Sequence, residues 1–191
     1  LHLCHHNLES IDTDKIDSGN AKHNLLLEVC YAAKHEGDLI NTHYTPHQQK
    51  YKDTGTASQL CTVLARSFAD IGDIIRGRDL YRGVNGNDKL ESNLKKIFGI
   101  IYEKLDGKKG KKQDAKERYK DDEDKNYYKL REDWWEENRE KVWYAITCNA
   151  GGGKYFRNTC AGEERTQTQG DCRCIGGTVP TYFDYVPQYL R

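Results

Sequence analysis

Methionine is absent from all 191 residues, position 1 included, and the chain opens on a leucine, so it reads as a piece of a longer protein. No apolar run approaches the roughly 20 residues of a membrane-spanning helix, and no signal peptide is present. Net charge is missing as well: 30 lysines and arginines balance 30 aspartates and glutamates. A neutral chain has no general affinity for nucleic acid or membranes, so electrostatic recognition has to come from local clusters. Hydrophobic residues make up only 36% against 31% charged, yet 13 tyrosines and clear helical periodicity separate this sequence from a disordered one.

Catalytic motifs are lacking too. There is no GxSxG, P-loop, HExxH or glycine-rich dinucleotide fingerprint between a strand and a helix. Gly151-Gly152-Gly153 follows a helix, the place of a C-terminal cap and not of a phosphate cradle. No carboxylate pair stands out with two distinct environments. The expectation is a protein that is not an enzyme and has no cofactor. The opening LHLCHH sets His2, Cys4, His5 and His6 together, but no CxxC or HxxxH partner follows, so they read as surface histidines and a disulfide cysteine, with no metal site.

What the sequence does contain is amphipathic helix. Asp17, Ser18 and Asn20 offer N-caps for a helix through Leu25, Leu26, Val29, Cys30 and Ala33 that fades at Gly37, followed by a polar connector over 41–55. Thr56 or Ser58 caps a second helix, in which Leu60, Val63, Leu64, Phe68, Ile71, Ile74 and Ile75 form one wide apolar stripe while Arg66, Asp70, Asp73 and Arg76 are expected to face outward. Gly77 sits where a left-handed C-terminal cap is needed. Asp88 and Glu91 have capping-box spacing for a third helix carrying Leu90, Leu94, Ile97, Phe98 and Ile101. A fourth runs through Tyr127, Leu130, Trp134, Trp135, Val142, Trp143 and Ile146. It holds all three tryptophans, which read as core and not as a sugar platform.

Seven cysteines, at 4, 30, 61, 148, 160, 172 and 174, point to an oxidising compartment, and the odd count leaves at least one without a partner inside the chain. Cys30 and Cys61, each on the apolar side of a helix, are expected to pair or to lie buried close together. Cys172 and Cys174 are expected to send two bridges in different directions, within a segment whose cysteines at 148, 160, 172 and 174 can also pair internally; the connectivity stays open. Pro180 and Pro187 bracket a short extended or turn segment near the end.

Two basic groups are candidate binding residues. Lys108, Lys109, Lys111 and Lys112, with Lys104, Lys116, Arg118 and Lys120 nearby, form a charged stretch able to attract a sulfated glycan or another polyanion, or simply a solvated loop. Arg76, Arg78 and Arg82 cluster at a helix end, where cations also stabilise the carbonyl terminus.

Three strings, ARSFADIGDIIRGRDLY (65–81), REDWWEENREKVWYAITC (131–148) and CRCIGGTVPTYFDYVPQYLR (172–191), resemble the Duffy-binding-like domain, most closely the alpha type at the head of the malaria parasite's erythrocyte membrane protein 1 family; LHLCHHNLE (1–9) is consistent with it. The resemblance implies an all-α, disulfide-rich helical bundle with long irregular loops, truncated at its C-terminus: an N-terminal subdomain over 1–55 and an incomplete helical-bundle subdomain over 56–191. It further implies an adhesion module of a variant surface antigen on the outer face of the infected host cell, its parent anchored in the membrane elsewhere. The implied partners are a host red-cell receptor or glycosaminoglycan and antibodies, with no nucleic acid. The alternatives are an invasion ligand of the same superfamily, or an antigenic spacer whose neighbour does the binding.

Overall fold

The computed structural model describes residues 19–50, 60–78, 89–105, 116–119, 125–151, 153–160 and 165–191, the side chains of 45–50 excepted. Among the described residues four long α-helices carry the fold: α1 (Ala21–Lys50), α2 (Leu60–Arg76), α3 (Lys89–Glu103) and α4 (Tyr128–Ile146). Two single 3-10 turns, Phe183–Tyr185 and Gln188–Leu190, close the chain. Among the described residues there are no strands, only isolated bridges between Gly153 and Asp171 and between Cys160 and Thr166. The expected all-α, disulfide-containing class is what the structure shows.

Two compact units emerge. The first gathers Cys30–Gly72 and Arg139–Arg191; the second gathers α1 up to Val29 with Asp73–Asn138. In the first, Leu60, Leu64, Phe68, Val142, Trp143 and Ile146 are all nearly or fully buried, with Trp143 meeting the edge of Phe68 at 5.2 Å between centroids. In the second, Leu90, Leu94, Ile97, Phe98, Ile101, Leu130 and Trp134 form the core, and Phe98 meets Trp134 edge-on at 6.1 Å. Perpendicular aromatic pairs of this kind add to simple area burial because a positive ring edge meets a negative ring face.

The first helix corrects the sequence reading. It neither fades at Gly37 nor gives way to a connector at 41, but continues to Lys50. The buried positions explain why: Ala21, Leu25, Val29, Ala32, Ala33, Glu36, Gly37 and Ile40 follow one 3.6-residue stripe straight through the glycine. Gly37 is there for its missing side chain. A Cβ built on it would lie 2.0 Å from the Ile146 carbonyl oxygen, a backbone atom that cannot swing away. The same contact is reinforced beside it, where Asn41 donates to the Asn149 carbonyl at 2.9 Å and Asn149 donates to Asp38 at 2.6 Å.

A first prediction follows. Alanine is worth about 1 kcal/mol more than glycine inside a helix, whereas forcing an extra carbon into a closed contact costs about 1 to 3 kcal/mol. The overlap at Gly37 is with backbone, so the steric loss wins. Gly37→Ala is expected to lower the thermal midpoint by several degrees, and a scanning calorimetry trace at or above the wild-type midpoint would contradict this packing.

Candidate functional site

The exit of α2 was expected to present arginines to a partner. Its cap forms as the sequence suggested: Gly77 takes φ 71°, its N–H donates to the Ile74 carbonyl at 3.1 Å, and the Arg78 N–H donates to the Asp73 carbonyl at 2.8 Å. These are the two bonds of a Schellman closure. The side chains, however, do not all face outward. Arg76 is 1% exposed and Asp73 is buried with it; the guanidinium bonds Asp73 at 3.1 Å and Glu132 at 3.2 Å and lies over the Trp135 ring. Arg76 is therefore an internal residue, and so is Asp73. Arg78 remains more than half exposed, pairing with the other oxygen of Glu132 at 2.7 Å. Arg82 lies outside the described residues, as do Lys108, Lys109, Lys111, Lys112 and Cys4.

One residue that the sequence reading passed over closes this site. Arg131, fully buried on α4, donates Nε to the Ile75 carbonyl at 2.5 Å and one terminal nitrogen to the Ile74 carbonyl at 3.1 Å. Its two terminal nitrogens also hold the two carboxylate oxygens of Glu91 at 2.7 and 2.9 Å. The last carbonyls of a helix have no partner within it; here a planar guanidinium from another helix supplies one. Consecutive residues of α4 thus bracket the α2 exit, Arg131 on its carbonyls and Glu132 on its arginines. A signal for this was present: Arg131 shares the buried stripe of Trp135, Asn138 and Val142 at spacings of four, seven and eleven.

The same device recurs in the first unit. Arg139 holds both oxygens of Asp184 at 2.8 and 2.9 Å and the Thr181 carbonyl at 2.9 Å, between the rings of Phe68, Tyr182 and Tyr185. Arg173 donates to the Tyr144 carbonyl and the Thr147 hydroxyl, each at 2.8 Å, and stacks 3.7 Å above the Tyr144 ring. Arg191 donates to the Val186 carbonyl at 2.9 Å and to Asp70 at 3.0 Å.

The disulfides partly follow expectation. Cys172 and Cys174 do send bridges in two directions, to Cys61 and to Cys160. The expected Cys30–Cys61 association is corrected: Cys61 is fully buried against Cys172, with Gly153 close to both sulfurs, while Cys30 is only half-buried and in no disulfide, like the exposed Cys148. Burial pushes the Cys30 thiol above its ordinary range, with Lys141 pulling it partly back. All three tryptophans are interior, as read. The described part of the charged stretch, 116–119, is tied down: Lys116 pairs with Glu103 at 3.1 Å, and Arg118 and Tyr119 both reach Asp133 at 2.7 Å. No group able to hold a metal ion occurs among the described residues, and none of their helices is long and apolar enough to cross a membrane.

Tyr155 gives a pH prediction. Burial raises its phenol above the usual value of about 10, outweighing the opposite pulls of its Thr181 hydrogen bond and of Arg157. A folded value above the unfolded one means that this contribution is complete below the unfolded pKa and is lost as pH rises through the folded one. Stability is expected to fall above about pH 10. In Tyr155→Phe that alkaline slope should be shallower; an unchanged slope in denaturant midpoints would contradict the assignment.

The profile of the Duffy binding domain matches residues 1–191, the whole chain. The chain belongs to the Duffy-binding domain family. This Duffy-binding chain is similar to the NTS-DBL1(alpha-1) domain of Plasmodium falciparum membrane protein 1 (PfEMP1) from the varO strain, with 40% identity and a TM-score of 0.75 over 99% of this chain and 40% of the other. The varO double domain of NTS-DBL1-alpha and CIDR-gamma is 42% identical with a TM-score of 0.76, over 99% of this chain and 25% of the other. The PfEMP1 IT4var13 DBLbeta domain in its structure bound to ICAM-1 is 35% identical with a TM-score of 0.67, over 99% of this chain and 40% of the other. The chain thus spans 40% or less of the length of these relatives. No curated protein matches it.

Proposed function

We propose that this Duffy-binding chain is part of an adhesion module of a variant surface antigen, displayed outside the infected host cell and engaging a host surface receptor or a sulfated glycan. The observation that carries the reading is the family match along residues 1–191, together with a PfEMP1 relative whose structure is bound to ICAM-1. The scaffold supports it. Two disulfides suit an oxidising exterior, and the buried arginines leave the interior closed, so contact falls to exposed residues. Within the basic groups singled out from sequence, Arg78, Arg82, Lys108, Lys109, Lys111 and Lys112 are the proposed contacts; Arg76, being interior, is not.

The test is binding of the folded, fluorescently labelled chain to host red cells at physiological salt, with soluble heparin as competitor. Saturable binding reduced by heparin supports the glycan form of the reading. Saturable binding indifferent to heparin supports a protein receptor. Absence of binding by a correctly folded sample would overturn the reading for this part of the protein.

A further inference from the structure

The two disulfides join the chain in unequal ways. Cys160–Cys174 closes a short stretch after α4 on itself, whereas Cys61–Cys172 ties the first turn of α2 to the C-terminal segment across 111 residues. Everything from Thr62 to Asp171 thus lies inside one covalent ring, which takes in most of α2, all of α3 and α4, and the connections between them. A ring differs from an open chain in one respect: a single cut anywhere in it leaves the molecule in one covalent piece. The connection between α3 and α4 carries seven lysines and arginines between positions 104 and 118, each followed by a peptide bond of the kind that a trypsin-like protease hydrolyses. Lys104 and Arg118 are exposed there.

A cut in 104–118 divides the protein into an N-terminal piece with α1, α2 and α3 and a C-terminal piece with α4 and the closing segment. In each compact unit the two pieces interlock. In the second unit, Arg131 of the C-terminal piece holds Glu91 and the Ile74 and Ile75 carbonyls of the N-terminal piece, Glu132 holds Arg76 and Arg78, and Trp134 packs against Phe98. In the first, Trp143 meets Phe68, the Ile146 backbone closes on Gly37, and Arg191 reaches Asp70. The ion pairs made within 104–118 are between solvent-exposed side chains, Lys116 with Glu103 and Arg118 with Asp133, and pairs of that kind add little stability. Hydrolysis there leaves the buried contacts in place, and the bridge makes re-association of the pieces intramolecular, at an effective concentration on the order of millimolar that does not fall on dilution.

We infer that Cys61–Cys172 is a retention clamp, which keeps the protein folded and in one piece after a trypsin-like serine protease has cut it once between α3 and α4. The hydrolysis adds one water across a peptide bond that follows a lysine or arginine, leaving a carboxylate and an ammonium, and neither S–S bond changes. Cys160–Cys174 cannot serve in this way, because both of its cysteines belong to the C-terminal piece. Among the described residues Cys61–Cys172 is the one disulfide that joins the two pieces. The clamp lets basic residues stand in an exposed connection without making the integrity of the fold depend on the backbone there, whatever the chain binds.

The experiment digests the folded 191-residue chain briefly with trypsin and identifies by mass spectrometry the species cut once between 104 and 118. That species is then compared with uncut chain on denaturing gels with and without reductant, by gel filtration, and by far-ultraviolet circular dichroism. The expected result is that it accumulates, runs as one band without reductant and as two with it, elutes where the uncut chain does, and keeps the helical signal. Cut Cys160→Ser/Cys174→Ser should behave in the same way, whereas cut Cys61→Ser/Cys172→Ser should give two bands without reductant. Digestion straight to small peptides, or two bands from cut wild type without reductant, would overturn the clamp. Loss of helical signal or a shifted elution in cut wild type that is still joined would overturn retention of the fold. One band from cut Cys61→Ser/Cys172→Ser without reductant would assign the joining to another disulfide and overturn the inference. Wild type and the Cys160→Ser/Cys174→Ser variant decide the matter even where Cys61→Ser/Cys172→Ser does not fold.

Discussion

Replacing Arg131 with methionine is expected to destabilise the protein by about 3 to 5 kcal/mol, the range found when one partner of a buried ion pair is removed and the other is left without compensation. At roughly 2 to 4 °C per kcal/mol for a chain of this size, the thermal midpoint should fall by about 6 to 20 °C. The size of the effect follows from what one guanidinium does here. It neutralises Glu91, whose side chain is only 14% exposed, and it satisfies the Ile74 and Ile75 carbonyls at the end of α2. Methionine fills similar space and replaces none of these bonds. Adding Glu91→Leu should recover part of the loss by removing the stranded charge, but not all of it, because the Ile75 carbonyl loses its Arg131 bond and the Ile74 carbonyl keeps only the one from Gly77. Recovery to the wild-type midpoint would show that the carbonyl bonds are energetically idle.

The second large effect is expected at the Cys61–Cys172 bridge. Its cysteines are 111 residues apart, whereas Cys160 and Cys174 are separated by 14. On the chain-entropy view, closing about 100 residues restricts the unfolded state by about 4.7 kcal/mol and closing about 15 by about 3 kcal/mol. Cys61→Ser/Cys172→Ser should therefore lower stability more than Cys160→Ser/Cys174→Ser, by about 1 to 2 kcal/mol. Burial does not reverse this order, since Cys61 and Cys172 are 0% exposed and Cys160 and Cys174 only 2% and 5%, so serine hydroxyls are enclosed in both double variants. Denaturant titrations of the two double variants decide the order, and equal midpoints would contradict it.

The legible part of the fold is the part governed by periodicity. Leu60 to Ile75, Leu90 to Ile101 and Leu130 to Ile146 have apolar residues at helical spacing, and the structure places helices there with most of those residues inside, Val63 and Ile74 being half-exposed. Gly77 was legible for a local reason, because the cap needs a positive φ that glycine adopts freely. Gly37 misled for the opposite reason. A glycine in a helix reads as a stop unless the neighbouring backbone is known, and its neighbour, Ile146, is far away in sequence.

The same limit explains the arginines. Charge suggests exposure, so Arg76 was read as outward and Arg131 was not singled out. Their partners lie up to 57 residues distant, and a side chain's desolvation is offset only by groups that the fold brings to it. The family strings were nonetheless informative for this very reason. Residues 65–81 and 131–148 contain the two halves of the Arg131 closure and the Arg76–Glu132 pair, so these strings carry a set of internal connections.

The central claim is that this Duffy-binding scaffold uses arginine as an internal connector, through the geometry of its planar fork and not through its charge alone. The direct measurement is the thermal midpoint of the charge-preserving variants Arg131→Lys, Arg139→Lys and Arg173→Lys. Lysine keeps the positive charge but offers a single ammonium, unable to hold a carboxylate at two points and a carbonyl together. Each replacement should cost at least about 1 kcal/mol, a fall of roughly 2 to 4 °C or more, with Arg131→Lys the largest. Midpoints within a degree of wild type in all three would contradict the claim.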